Sequence, residues 1–296
     1  MPEVYGHDTS IEDAKATVRA IFNGPSNFMD TSRNYGAGRS EERIGMVVRE
    51  MGGIPEGFVL ATKLDRDPET NSFSASAMRR SIEESLEALG VDRIGLLHLH
   101  DPEYAADLDE VTKPGGGLAE LYKMREEGLC DAVGLAAGRV DIMMPILERF
   151  DFDAMITHNR FMLLNRNAEA MIDYAHGKGI AVLNAAPFAG GVLAKGSIAN
   201  PRIVYQEASD AMLAPVRAIE EIAARYDVPL GAVALQFSMR DPRITATICG
   251  VGKPEEVDGI AAWANAPIPD ALWEEVAALP ANRDDPEASR NYVAPS

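Results

Sequence analysis

This chain has little positive charge, little cysteine and no long apolar run. Lys and Arg number 28 against 46 Asp and Glu in 296 residues, a net charge of −18. A surface that acidic repels phosphate backbones and anionic lipid, which argues against nucleic-acid and membrane partners. The two cysteines, Cys130 and Cys249, are too few for a disulfide framework and lack metal-ligand spacing. Both are expected to be reduced, in a cytoplasmic protein without a metal site. No stretch approaches the ~18 apolar residues of a membrane span. The first residues, with Glu3, His7 and Asp8, have neither the basic nor the apolar region of a signal peptide. What remains is the composition of a folded globular chain, 46% hydrophobic and 25% charged.

Apolar, strand-like runs lie near 27–31, 58–63, 94–100, 131–136, 154–157, 180–184 and 244–249. Amphipathic helical patterns separate them, so the chain reads as α/β with parallel strands and right-handed crossovers. A doubly wound dinucleotide fold would place Gly-x-Gly-x-x-Gly after the first strand. Here Gly36-Ala37-Gly38 is followed by Glu41 where the third glycine belongs. The pattern therefore favours a parallel (β/α)8 TIM-type barrel as a single domain, 1–296. Only about seven strands are counted, because the helix at Ile11 begins almost at once and 1–10 holds no apolar run. Either the true start lies upstream or the eighth edge is closed in another way, since bare strand edges are an aggregation hazard. From Pro280, through Arg283-Asp284-Asp285-Pro286, a loose tail is expected to run to 296.

Three successive strand ends carry groups suited to proton transfer. Asp30 closes the first strand with Tyr35 five residues on, Lys63 closes the second, and His100 closes the third. In a β/α barrel the C-terminal ends of the strands are where catalytic groups collect. A tyrosine there can act as an acid if a neighbouring charge lowers its pKa from about 10. Singly, each has an ordinary reading as cap, surface lysine, loop aromatic or core histidine. Together they make a constellation. His98, two residues before His100 on the same strand face, reads as a buried structural histidine.

The motifs Asp30-Thr31, Tyr35-Gly36, Ser40-Glu41, Thr62-Lys63, Leu99-His100-Asp101-Pro102 and the loop 248–257 resemble those of the aldo-keto reductases. The His-Asp-Pro form, with Asn165 after Leu163-Leu164, is more similar to the bacterial aldose and pyridoxal dehydrogenase branch. Members of that family begin with a hairpin and a first barrel strand that this chain lacks. The resemblance implies a tetrad of Asp30, Tyr35, Lys63 and His100. Tyr35 is then the proton donor in reduction, Lys63 lowers its pKa, Asp30 holds Lys63, and His100 orients the substrate oxygen. It implies hydride transfer with NAD or NADP and no metal.

For the cofactor, Gly250-Val251-Gly252-Lys253-Pro254 joins glycines after the last strand to a helix that starts with proline, a free-amide anion site. Glu256 aligns where NADP-preferring relatives carry an arginine, which favours NAD, although Lys253 could still hold a phosphate. Gly190-Gly191-Val192-Leu193 resembles the pyrophosphate loop. Three nicotinamide contacts depart from the family: Ala136-Ala137 replaces a Ser-Asn pair, His158 a glutamine, and Ala185 the stacking aromatic. Either backbone groups or His158 substitute, or cofactor affinity is expected to be poor.

The leading expectation is an NAD(P)-dependent oxidoreductase acting on a small carbonyl, alcohol or sugar, such as an aldose oxidised at C1. The alternatives are a general NADPH carbonyl reductase and a nucleotide-binding barrel subunit with little turnover. The sequence leaves the oligomeric state open.

Overall fold

A computed structural model describes residues 9–288. The expectations placed on 1–8 and 289–296 lie outside the described residues. Two compact units emerge: residues 9–155 with Val251–Val257, and Ile156–Gly250 with residues 258–288.

In the first unit, Ser10 caps α1 (Ile11–Asn23) by accepting the Asp13 amide. β1 (Phe28–Asp30), α2 (Arg39–Met51), β2 (Val59–Leu64), α3 (Ala75–Leu89) and β3 (Ile94–His100) follow. Two further helices, α4 (Leu108–Thr112) and α5 (Gly117–Glu126), precede β4 (Cys130–Ala137) and α6 (Val140–Arg149). β1 to β4 pair in chain order, all parallel, with Asp30 opposite Ala61, Lys63 opposite His98 and His100 opposite Ala136. β2 and β3 are buried along nearly their whole length. Strands covered on both faces need continuous rather than alternating apolar residues, and Leu96-Leu97 and Leu99 supply them. This register lines up the C-terminal ends of β1, β2 and β3, so the residues that close them become neighbours.

β5 (Ala154–His158) begins in the first unit and ends in the second. The second unit then holds α7 (Glu169–Gly177), β6 (Ala181–Ala185), the short α8 (Val192–Lys195) and a hairpin of β7 (Arg202–Ile203) and β8 (Gln206–Glu207). It closes with α9 (Asp210–Arg225), α10 (Leu230–Met239), β9 (Ala246–Ile248), α11 (Pro254–Ala264, shared between the units) and α12 (Asp270–Ala277). β6 and β9 are parallel neighbours, Asn184 opposite Thr247. Leu213, Val216 and Ile219 of α9 pack with Val233 of α10 and Leu272 of α12. Each such side chain, withdrawn fully from water, stabilises by about 1.5–3 kcal/mol.

Two expectations change. The β7–β8 hairpin is absent from the sequence reading because two-residue strands carry no periodicity. The start of the expected loose tail is pinned: Asn282 exchanges backbone hydrogen bonds with Leu164 and Arg166 at 3.1 and 2.8 Å. Beyond it, Arg160, fully buried, donates to Asp285 at 2.7 Å and Glu287 at 3.1 Å. A buried guanidinium demands paired carboxylates, and the polar stretch after Pro280 provides them.

Candidate active site

Asp30, Tyr35, Lys63 and His100 all lie in the first unit, and the parallel register brings them together. Lys63 Nζ donates to Asp30 Oδ2 at 2.6 Å and to the Thr31 carbonyl at 2.6 Å. It stands 4.6 Å from the centre of the Tyr35 ring. The Tyr35 and His100 rings meet edge to face, with centroids 6.1 Å apart. Lys63 keeps only 2% of its surface exposed, so its ammonium persists there through its partners and not through water. Burial pulls Lys63 down, but Asp30, with Tyr35 and Asp65, pushes it above the ordinary lysine value.

Tyr35 behaves differently from expectation. Its ring keeps part of its surface open, yet its surroundings are those of the interior, and burial pushes the phenol up to about 12. Lys63 acts with the expected sign, lowering it by charge and hydrogen bonding, but Asp30 opposes that and burial outweighs both. In this protein Tyr35 is firmly a phenol, the form of a proton donor.

The sequence reading missed Asp65, two residues beyond Lys63 and on the same side of the strand. His100 Nδ1 lies 2.5 Å from Asp65 Oδ1, and Ser32 Oγ donates to Oδ2 at 2.6 Å. Asn34 adds its backbone N–H and its side-chain amide, both at 2.9 Å. Burial by itself would raise Asp65 and lower His100, but their mutual pairing, with Asp101 also acting on His100, reverses both shifts. The raised imidazole stabilises the fold below its unfolded value near 6.5, and that contribution is lost as pH climbs through the higher folded value. The lowered carboxylate stabilises above its unfolded value near 3.9 and loses that as pH falls through the folded one. Both contributions are present together between about pH 4 and 6.5.

His98 is fully buried with both ring nitrogens unpartnered, and burial lowers it well below the ordinary value. It is a neutral packing residue. A Cβ at Gly134 would stand 2.2 Å from His98 Nδ1, so β4 must be bare there. Glu103, also missed from sequence, is buried just past β3 and accepts from the Gly138 amide at 2.9 Å. Burial, then the Asp101 carboxylate, pushes it up to about 7.

The residues expected to hold the dinucleotide divide between the units. In the second, Gly190 and Gly191 turn through φ 75° and 98°, and a Cβ at Gly190 would meet the Val204 carbonyl at 2.1 Å. Val192 and Leu193 are fully buried in that unit's core, and the Gly191 and Leu193 amides both donate to the Phe188 carbonyl, at 2.8 and 3.2 Å. His158 is half-buried, 3.5 Å from Glu287 and 3.2 Å from the Asn159 amide. Gly250 is exposed, with no atom within 4 Å of where a Cβ would stand. In the first unit, Gly252, Lys253 and Glu256 are exposed, Val251 is half-buried, and Gly252 N–H donates to Glu256 Oε2 at 2.7 Å. Within the first unit, the exposed backbone at Gly252 and the Lys253 ammonium suit a phosphate oxygen, while the Glu256 carboxylate suits a ribose hydroxyl better than a second phosphate. Among the described residues no helix is long and apolar enough to cross a membrane.

The profile of the Aldo/keto reductase family matches residues 4–280. The chain is similar to pyridoxal 4-dehydrogenase of Microbacterium luteolum, 27% identical, covering 88% of this chain and 86% of that one. It is similar to D-threo-aldose 1-dehydrogenase of a Pseudomonas species, 29% identical over 90% and 88%. Among solved structures, the holo form of an aldo-keto reductase from Bacillus halodurans superposes with a TM-score of 0.78 at 19% identity, covering 96% and 92%. The fold class is thus the parallel α/β barrel of the TIM type, with seven strands in the main sheet among the described residues.

Proposed function

The chain belongs to the Aldo/keto reductase family and is an NAD(P)-dependent oxidoreductase of carbonyl and alcohol groups, and from that premise we propose that its substrate is a small aldose oxidised at C1, with NAD favoured over NADP. The similarity to the D-threo-aldose enzyme supports the substrate class. The observation that carries the assignment of roles is the buried Asp30–Lys63 pair, with Lys63 4.6 Å from the Tyr35 ring and His100 on that ring's edge.

When bound, the dinucleotide supplies or accepts the hydride. Tyr35 gives a proton to the substrate oxygen in reduction; in oxidation its phenolate, reached at alkaline pH because burial holds the phenol up at about 12, takes the hydroxyl proton. Lys63 stabilises the phenolate that donation leaves behind, and Asp30 keeps Lys63 charged and aimed. His100 donates to the same substrate oxygen and sets its orientation. The loop 250–253 offers exposed main chain and the Lys253 ammonium to a phosphate. Glu256 disfavours a 2′-phosphate. The chain 1–296 is taken as one working domain, in the cytoplasm, with a small carbonyl or sugar as its partner.

Near-ultraviolet absorbance of reduced nicotinamide, followed with NAD or NADP and a panel of L-fucose, D-arabinose, pyridoxal and simple aldehydes, tests this reading. Turnover of the aldoses with NAD supports it. Turnover confined to NADPH and aldehydes would sink the substrate and cofactor assignments. Tyr35→Phe is expected to lower kcat by about 10³-fold while the Kd for NADH stays within about twofold, because the hydroxyl acts on the substrate.

A further inference from the structure

Resting on the reading of Tyr35 and His100 as the groups that meet the substrate oxygen, we propose that Asp65 is a positioning residue that fixes the proton on His100 Nδ1, holds the ring in its cationic form and leaves Nε2–H as a charged donor to the substrate.

The geometry is specific. An ionised carboxylate has about four lone-pair sites, and all four are used here. Oδ1 takes His100 Nδ1 and the Asn34 side chain, while Oδ2 takes Ser32 Oγ and the Asn34 amide. The backbone is held too, because Asp65 N–H donates to Ser81 Oγ of α3 at 3.0 Å. A carboxylate with no free lone pair and only 4% exposure cannot swing toward another partner. With Nδ1 committed to it as donor, Nε2 is the ring nitrogen left to face the substrate.

The surrounding charges favour a cation. Asp65 lies against Nδ1 and Asp101 Oδ1 stands 3.5 Å from Nε2. Lys63 opposes them but is itself neutralised by Asp30, while His98 is neutral and Tyr35 is a phenol. Two carboxylates therefore face the ring against one paired ammonium. A charge-assisted donor is roughly twice as strong as a neutral one.

Asp65 also couples the two groups mechanically. Ser32 and Asn34 belong to the loop that carries Tyr35, whose own amide donates to the Ser32 carbonyl at 3.0 Å. The loop that carries the acid and the charged donor are thus tied to one carboxylate. A shift of either is resisted by the other.

The test uses the whole chain and its Asp65→Asn and Asp65→Glu variants. NMR titration of the histidine rings, with His100 assigned by loss of its signal in His100→Gln, reads the charge directly and needs no turnover. We expect His100 to titrate above about 6.5 in the wild type, to fall by about one pH unit or more in Asp65→Asn, and to recover in part in Asp65→Glu. For carbonyl reduction, the alkaline limb of kcat/KM should move down with the ring, with KM up about tenfold and NADH affinity within about twofold. An unchanged His100 titration in Asp65→Asn overturns the proposal, as does a pH profile that stays fixed while the ring titration moves. Should Asp65→Asn fail to fold, a wild-type His100 titrating below about 6.5 overturns it equally. Absence of wild-type turnover on every substrate would sink the assigned function, while the ring titration would still decide whether Asp65 sets the charge.

Discussion

The loop around Tyr35 and the glycine loop after β9 differ in how their polar atoms are satisfied. At the first, nearly every donor has a protein partner: Lys63 has two, and the Asp65 carboxylate takes four. At the second, Gly250, Gly252, Lys253 and Glu256 are exposed, and α11 buries no residue. The first is built of side chains at strand tips and the second of main chain. Proton transfer depends on a side chain's pKa, which only buried and fixed neighbours can set. Phosphate recognition needs accessible amides, and burying them would defeat their use. On the proposed roles, the residues that set the chemistry are packed and those that would hold the ligand are bare.

The sharpest way to break this contrast is Lys63→Met. It should lower kcat by at least about 10³-fold and, by leaving Asp30 buried without a counter-charge, cost about 3–5 kcal/mol of stability. Steady-state kinetics and denaturant melts check both, and a fully active, equally stable variant would show the packed site to be ordinary core.

A middle-sized effect is expected at Glu103. Its folded pKa, about 7, lies above its unfolded value near 4.3, so its stabilising contribution is complete below the unfolded value and lost as pH rises through 7. Glu103→Gln removes the charge and keeps the acceptor for Gly138. It should raise stability at pH 8 by up to about 3 kcal/mol, several degrees in Tm, and leave stability at about pH 4 nearly unchanged. Equal gains at both pH values would show that ionisation is not the cause.

The smallest effect belongs to the exposed loop. Glu256→Gln should tighten NADPH by about three- to tenfold, leave NADH alone, and shrink in its effect as salt is added, because an exposed charge is screened. Fluorescence titration with both nucleotides reads it. A salt-independent change would mean that the loop is more enclosed than its exposure indicates.

Much of this arrangement is legible in the residues. Seven apolar runs separated by amphipathic helices specify parallel strands, and the quartet is recognisable because three of its members close or nearly close successive strands and Tyr35 follows the first by five residues. What the pattern does not carry is environment. The Tyr35 phenol responds to burial more than to Lys63, and burial is a property of the assembled barrel. Asp65 reads as the first polar residue of a loop, although counting by twos from Lys63 places it on the same strand face. The stretch after Pro280 is polar and rich in turn formers, and nothing local reveals that Arg160, more than 120 positions earlier, requires it.

That last pairing has a consequence for how the chain matures. A polypeptide made from its N-terminus has every member of the proton-transfer quartet, and Asp65, by residue 100. Arg160 must wait until residues 285 and 287 have left the ribosome before its charge has protein partners. Until then burying that guanidinium would leave its charge unpaired, so the last packing of the second unit is expected to await the end of synthesis. The residues assigned to proton transfer are thus all made early, while the carboxylates that clasp Arg160 are made almost last.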